Sequence, residues 1–196
     1  MRPLVLASTS RFRRALLERL GVPFTAAAPP FEETAPPGAS DPRELARAFA
    51  RGKAASLAAA HPQALIVGSD QVCEHRGQQL HKARDLEEAA AQLLRLQGDV
   101  HRLHTAVAVL DAGSGRRVEE LVTVELRMRA LSPAQAARYV ALDRPLGCAG
   151  GYTFEGRGVA LFEEVRGGDD SAIVGLPLLA LVRLLREQGW DPLLAW

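Results

Sequence analysis

Four apolar residues, Ala64-Leu65-Ile66-Val67, run directly into Gly68-Ser69-Asp70, and no other stretch restricts the fold as much. A run this short, rich in β-branched residues and followed by Gly-Ser, reads as a buried strand that ends at Asp70. In α/β sheets the carboxyl edge of the strands is where ligands gather. An acid placed there can hold a metal ion or take a proton from water. An Asp in this position can also do no more than organise a turn through its own backbone. Residues Ala64 to Cys73 leave both readings open.

The flanking sequence supplies the rest of an α/β pattern. Leu4 to Ala7 reads as a first strand, and Ser8-Thr9-Ser10 offers an N-cap to a helix that runs through Leu16, Leu17 and Leu20 to Gly21. Arg11, Arg13 and Arg14 crowd the first turn of that helix. Cations there oppose the helix dipole at about 0.3 to 1 kcal/mol each where exposed. An anion docked on the free N–H groups would reverse the sign, so Ser8, the helix start and the guanidinium groups form a candidate phosphate seat. The alternative is a solvated arginine face. A second strand is expected over Val22 to Thr25, followed by a proline-rich passage from Pro29 to Pro42 that cannot be regular helix. Within it, Glu32 and Glu33 are either solvated or available to join Asp70 at a metal. Asp41-Pro42-Arg43-Glu44 then starts a helix to about Ala60. Lys53 follows Leu45 and Phe49 at steps of four, at the edge of the buried stripe, an expensive place unless its head reaches into a cleft.

Further along, a turn at Glu74 to Gly77 and a returning strand at Leu80 to Lys82 precede a helix capped by Asp85 and ended by Gly98. His101 and His104 lie on the next strand, three apart and therefore on opposite faces, which argues against a shared metal. Asp111 to Gly115 joins that strand to another over Val118 to Met128, a hairpin with a structural role. Ser132-Pro133-Ala134-Gln135 opens a helix, and Gly147 to Gly158 is a glycine-dense loop whose backbone can approach a ligand closely. Strands are expected around Val159 to Val165 and Ser171 to Val174, before a leucine-rich last helix over Leu178 to Gln188.

Composition narrows the functional classes. The 196 residues carry 24 basic and 23 acidic side chains, net charge +1, so there is no general attraction to nucleic acid or to an anionic membrane. Cys73 and Cys148 lack CxxC spacing, and no apolar run nears the roughly 18 residues of a membrane span. A single two-lobed domain in a reducing, cytoplasmic setting is expected. Lys53 and Lys82 are the only lysines; every other basic residue is arginine. Either chance left them, or a compact ammonium is needed at both places.

Leu6-Ala-Ser-Thr-Ser10 followed by arginines, Gly68-Ser-Asp-Gln71, Cys148-Ala-Gly-Gly-Tyr152 and Val174-Gly-Leu-Pro-Leu-Leu-Ala-Leu181, in this order, resemble the Maf family of nucleoside triphosphate pyrophosphatases over nearly the whole chain. The resemblance implies one two-lobed α/β domain over residues 1–196, an elongated mixed sheet around a central cleft, similar to the inosine triphosphatase architecture. It implies hydrolysis between the α and β phosphorus atoms of a nucleoside triphosphate. Carried onto matching positions, Asp70 is the general base, Glu33 and Asp70 hold Mg²⁺ or Mn²⁺, and Ser8, Arg13, Lys53 and Lys82 bind phosphates. Gln71 after the aspartate, with Glu155 in the glycine loop, resembles the branch that hydrolyses 7-methyl-GTP; the branch acting on dTTP and UTP typically has threonine after the aspartate.

Specificity would then rest on Phe12, Gln71 and Glu155, although Gln71 can equally be a polar residue that only packs the strand end. The sequence departs from the family pattern at Arg11, where a proline is usual, at His81 and Ala83 around Lys82, and at Phe12, where an indole is common. A broader house-cleaning pyrophosphatase and a nucleotide-binding regulator of cell division are the rival readings. A nucleotide substrate without nucleic acid or membrane partners is expected, with a homodimer left open.

Overall fold

A computed structural model describes residues 2–34 and 41–195. Among them are seven strands in one mixed sheet and six α-helices. By contacts the chain divides into two compact units, Met1–Gln71 with Thr105–Val122 and Gly168–Trp196, and Val72–His104 with Thr123–Gly167. No helix among the described residues is long and apolar enough to cross a membrane.

The first unit is built on three parallel strands: β1 (Leu4–Ala7), β2 (Thr25–Ala27) and the first half of β3 (Leu65–His75). β1 lies between the other two, with Val5 opposite both Thr25 and Ile66. Both faces are covered, so alternate residues enter different cores. Leu4, Leu6, Leu65 and Val67 pack with Leu16 and Leu17 of α1 (Arg11–Glu18) and with Leu181 and Leu185 of the last helix, Leu178–Glu187. Val5, Ala7 and Ile66 pack with Ala54 and Leu57, contributed by α2 (Pro42–Ser56) and the turn after it.

Several boundaries differ from the sequence reading for identifiable reasons. β2 begins at Thr25 rather than Val22. Gly21 takes a left-handed φ of 64° and Val22 is spent in the core, while Pro23 has no N–H to give a ladder. The N-terminal cap of α2 is Asp41, as expected, but the helix stops at Ser56, whose hydroxyl donates back to the Lys53 carbonyl at 2.9 Å. Of the proline-rich passage, residues 35–40 lie outside the described residues.

β3 is longer than its sequence indicates. It does not end at Asp70 but continues to His75, where the two-residue turn Arg76-Gly77, both at positive φ, returns the chain as β4 (Gln78–Leu80). Gly68 is not a strand breaker. A Cβ there would lie 2.2 Å from the Ala50 carbonyl oxygen, so the glycine exists to let α2 approach the strand.

The second unit contains α3 (Leu86–Leu96, capped by Asp85) packed on α4 (Pro133–Asp143), the latter with the expected Ser132–Gln135 capping box. β5 (Val100–Asp111) and β6 (Arg117–Met128) form the expected hairpin pair, and β6 is followed in the sheet by antiparallel β7 (Phe162–Arg166). A 3₁₀ turn over Arg157–Leu161 replaces the first part of the strand expected from Val159. Returning to the first unit, Ser171 to Val174 is not a strand. It forms the short helix α5 (Asp170–Val174), capped by the Asp169 carboxylate at the Ser171 N–H and closed by left-handed Gly175. The last helix, Leu178–Glu187, is α6.

Candidate active site

Beyond Val67, β3 loses its pairing with β1, because β1 ends at Ala7 and the chain turns through Ser8 into α1. Asp70 therefore stands past the carboxyl end of a neighbouring parallel strand, although its own strand runs on. That is still the edge at which parallel sheets collect ligands. Its carboxylate is almost fully buried. Lys53, one turn beyond Ala50 on α2, sends its ammonium to Asp70 Oδ1 at 2.5 Å and to Glu33 Oε1 at 2.6 Å. The close approach permitted by Gly68 is what brings the α2 lysine to this carboxylate.

Glu33 reaches the same ammonium from an irregular loop, and a second glycine explains how. A Cβ on Gly52 would fall 2.1 Å from the Phe31 ring, so Phe31 seats itself against α2 in the space that a side chain would fill. It also meets Phe49 edge-on, with ring centroids 6.3 Å apart. Anchoring Phe31 fixes the position of Glu33 two residues later. Sequence reading missed both residues, yet a glycine inside a well-capped amphipathic helix costs about 1 kcal/mol relative to alanine and signals close packing.

Of the arginines on α1, only Arg13 turns into this site. Its Nε donates to the Gly175 carbonyl at 2.8 Å, a carbonyl that also receives the buried Ser69 hydroxyl at 3.0 Å. Arg14 instead pairs with Glu18 at 3.2 Å, and Arg11 lies over the Phe12 ring, Cζ 4.7 Å from the centroid. Burial lowers the Arg13 pKa, against the raising effect of the Asp70 and Glu33 carboxylates. The Asp70 carboxyl is pushed above its ordinary range, first by burial, with Lys53 and Arg13 opposing and Glu33 adding to the rise.

Ser8 is buried and its hydroxyl oxygen accepts the Ser10 N–H at 3.1 Å, while Ser10 itself caps α1 by accepting the Arg13 N–H at 3.4 Å. Gln71 uses its side-chain nitrogen to donate to Thr105 Oγ1 at 2.8 Å and to the carbonyls of Ala172 and Ile173 at 2.9 and 3.0 Å. It thereby ties β3 to α5, the segment that carries the Gly175 carbonyl. Ser8, Arg13, Glu33, Lys53, Asp70 and Gln71 all belong to the first unit, as does the half-buried Phe12. Lys82 and Glu155 belong to the second. Lys82 is exposed beyond the end of β4, where its backbone makes an antiparallel bridge to Ala149, and Glu155 is exposed in a turn.

A divalent cation fits the donor set of Glu33 and Asp70, since two carboxylates already converge on one positive centre. Mg²⁺ commonly takes one or two carboxylates and fills its remaining positions with water and substrate phosphates. Among the described residues no group of three or more His, Cys, Asp or Glu side chains could form an all-protein cage. The arrangement can thus do two things: hold a cation or proton at Asp70, and present cationic side chains to an anionic substrate.

The sequence pattern of the family described as Maf-like protein matches residues 3–188. The chain belongs to the Maf-like family. A curated relative, the 7-methyl-GTP pyrophosphatase of Chromohalobacter salexigens, is 44% identical over 193 residues, covering 98% of this chain and 100% of that protein. The mixed sheet with helices on both faces of the first unit agrees with the family expected from the sequence motifs.

Proposed function

We propose that the chain is a nucleoside triphosphate pyrophosphatase that acts on free nucleotides in the cytoplasm and prefers 7-methyl-GTP, releasing 7-methyl-GMP and pyrophosphate. The observation that carries the chemistry is the buried Asp70 carboxylate held 2.5 Å from the Lys53 ammonium and within the field of Arg13. The end-to-end likeness to a protein named for 7-methyl-GTP supports the substrate.

In this reading Asp70 takes a proton from the attacking water. The water oxygen bonds to the α phosphorus as the bridging bond to the β phosphate breaks and pyrophosphate leaves. A base with a raised pKa lies nearer the operating pH, where proton acceptance is most effective. Lys53 holds Asp70 and Glu33 together before substrate arrives; phosphate oxygens then compete for its ammonium and free Asp70 to act. Arg13, fixed through Nε by the Gly175 carbonyl, offers its remaining N–H groups to phosphate oxygens, and Ser8 and Lys82 complete the phosphate contacts. Glu33 and Asp70 would hold Mg²⁺ or Mn²⁺, which would supply neutralisation of the charge growing on the leaving pyrophosphate. Phe12 stacks on the base and Glu155 accepts from the guanine edge, while Gln71 acts on specificity by holding α5 in place.

The test is a panel of GTP, 7-methyl-GTP, dTTP, UTP and other methylated nucleotides, with pyrophosphate release measured at fixed Mg²⁺ or Mn²⁺. The highest kcat/KM is expected for 7-methyl-GTP. Faster cleavage of dTTP or UTP would overturn the substrate assignment, and absence of metal-dependent turnover on every nucleotide would overturn the enzyme.

A further inference from the structure

The second unit contains a cavity of about 410 Å³ between the end of β6, the start of α4 and the 3₁₀ turn Arg157–Leu161. Its size suits a small organic molecule. Arg129, Arg138 and Arg157 line it beside Leu131, Tyr139 and Leu161, and none of the candidate active-site residues does. No carboxylate is among the lining residues.

Two of the guanidinium groups are held in place. Arg129 Nε donates to the Ala160 carbonyl at 3.0 Å, and Arg157 Nη1 pairs with Asp143 at 3.0 Å. Asp143 also accepts the Thr153 hydroxyl at 3.0 Å, while the Tyr139 hydroxyl accepts the Thr153 N–H at 3.0 Å. Asp143 and Tyr139 thus tie Arg157 and α4 to the backbone and side chain of Thr153. Arg138, on the exposed side of α4, has no ion pair among the described residues. Three like charges flank one apolar hollow, and among the described residues only Arg157 of the three has an ion pair, with Asp143. An anion entering the hollow would receive charge-assisted hydrogen bonds from planar forks suited to phosphate or carboxylate oxygens. Leu131, Leu161 and the ring of Tyr139 would meet an apolar body.

We propose that this cavity binds a small organic anion, an aromatic or aliphatic body carrying one phosphoryl or carboxylate group. The inference stands apart from the proposed catalytic function, since it uses none of the same residues. Site-resolved NMR titration of the full chain tests it, with phenyl phosphate and benzoate as probes, benzyl alcohol as the neutral control and inorganic phosphate as the control lacking a body. Saturable shifts are expected at the amides of residues 131–139 and 157–161 with phenyl phosphate, benzoate or both. The tighter of the two identifies the anionic group. Arg138→Gln, an exposed change that leaves nucleotide turnover intact, should weaken binding about tenfold. The proposal is overturned if neither probe saturates those amides, if benzyl alcohol or inorganic phosphate binds as tightly, or if Arg138→Gln binds like the parent.

Discussion

Lys53 is one of two lysines in a chain that otherwise uses arginine, and its surroundings explain the exception. Its ammonium is buried between Asp70 and Glu33, at 2.5 and 2.6 Å, where a compact three-donor head fits and a planar fork does not. Lys53→Arg should lower kcat/KM at least about tenfold and overpack the site at a cost of about 1 to 3 kcal/mol; steady-state kinetics and thermal melting check both. Parent-like values in both would return the lysine to chance. At Phe12 the structure adds a competitor that the sequence did not reveal, since the Arg11 guanidinium already covers one face of the ring. A 7-methylguanine ring is itself cationic and would gain a cation–π contribution of about 0.5 to 2 kcal/mol on that aromatic surface. Phe12→Ala should therefore narrow the preference for 7-methyl-GTP over GTP, and Arg11→Ala should widen it, read as the ratio of the two kcat/KM values. Opposite movements would remove Phe12 from base recognition.

Two glycines on neighbouring elements work differently although both permit close approach. A Cβ at Gly68 meets α2 backbone, Ala50 O at 2.2 Å and Ala54 N at 2.7 Å, so nothing nearby can swing aside. Gly68→Ala should displace α2 from β3, costing a few kcal/mol in denaturant unfolding and most of the activity, because Lys53 moves with the helix. The atoms nearest to a Cβ at Gly52 all belong to the Phe31 ring. In Gly52→Ala the ring can leave and the helix gains about 1 kcal/mol of propensity, so the melting temperature should hold while the metal concentration for half-maximal activity rises as Glu33 loses its anchor. On β5, His101 is buried against Tyr152, Nε2 to the hydroxyl at 2.8 Å, and burial depresses its pKa to about 4 from 6.5. The unfolded chain therefore binds a proton that the folded one refuses between about pH 6.5 and 4. Stability is lost as pH falls through that window, by about 3 kcal/mol from this residue. His101→Gln should flatten the slope of unfolding free energy against pH there; an unchanged slope would assign acid sensitivity to other groups.

At the scale of the molecule, the legible parts were those with long patterns. The capped amphipathic helices, the β5–β6 hairpin and the family motifs could be read directly, and so could Lys53, because a lysine on an apolar stripe needs a partner. What stayed hidden depended on which neighbour lies across a short gap. Gly68-Ser69 looks like the end of a strand when only composition is known, whereas the glycine serves α2. Ser171 to Val174 is too short for its period to show, and a cap at Asp169 decided it as helix. Phe31 in the space left by Gly52 is a contact between segments with no local signature. Asp70, buried and paired with Lys53, is the base that we propose. Asp70→Asn keeps the side-chain shape but removes one of the two carboxylates that hold the buried Lys53 ammonium, so folding of the variant is measured beside its activity. The direct measurement is pyrophosphate release from 7-methyl-GTP by parent and Asp70→Asn protein at the same Mg²⁺ concentration, alongside their melting temperatures. A loss of about 10² to 10⁴ in kcat in a variant that still melts cooperatively is the predicted result; a folded Asn variant turning over within a few fold of the parent would contradict it.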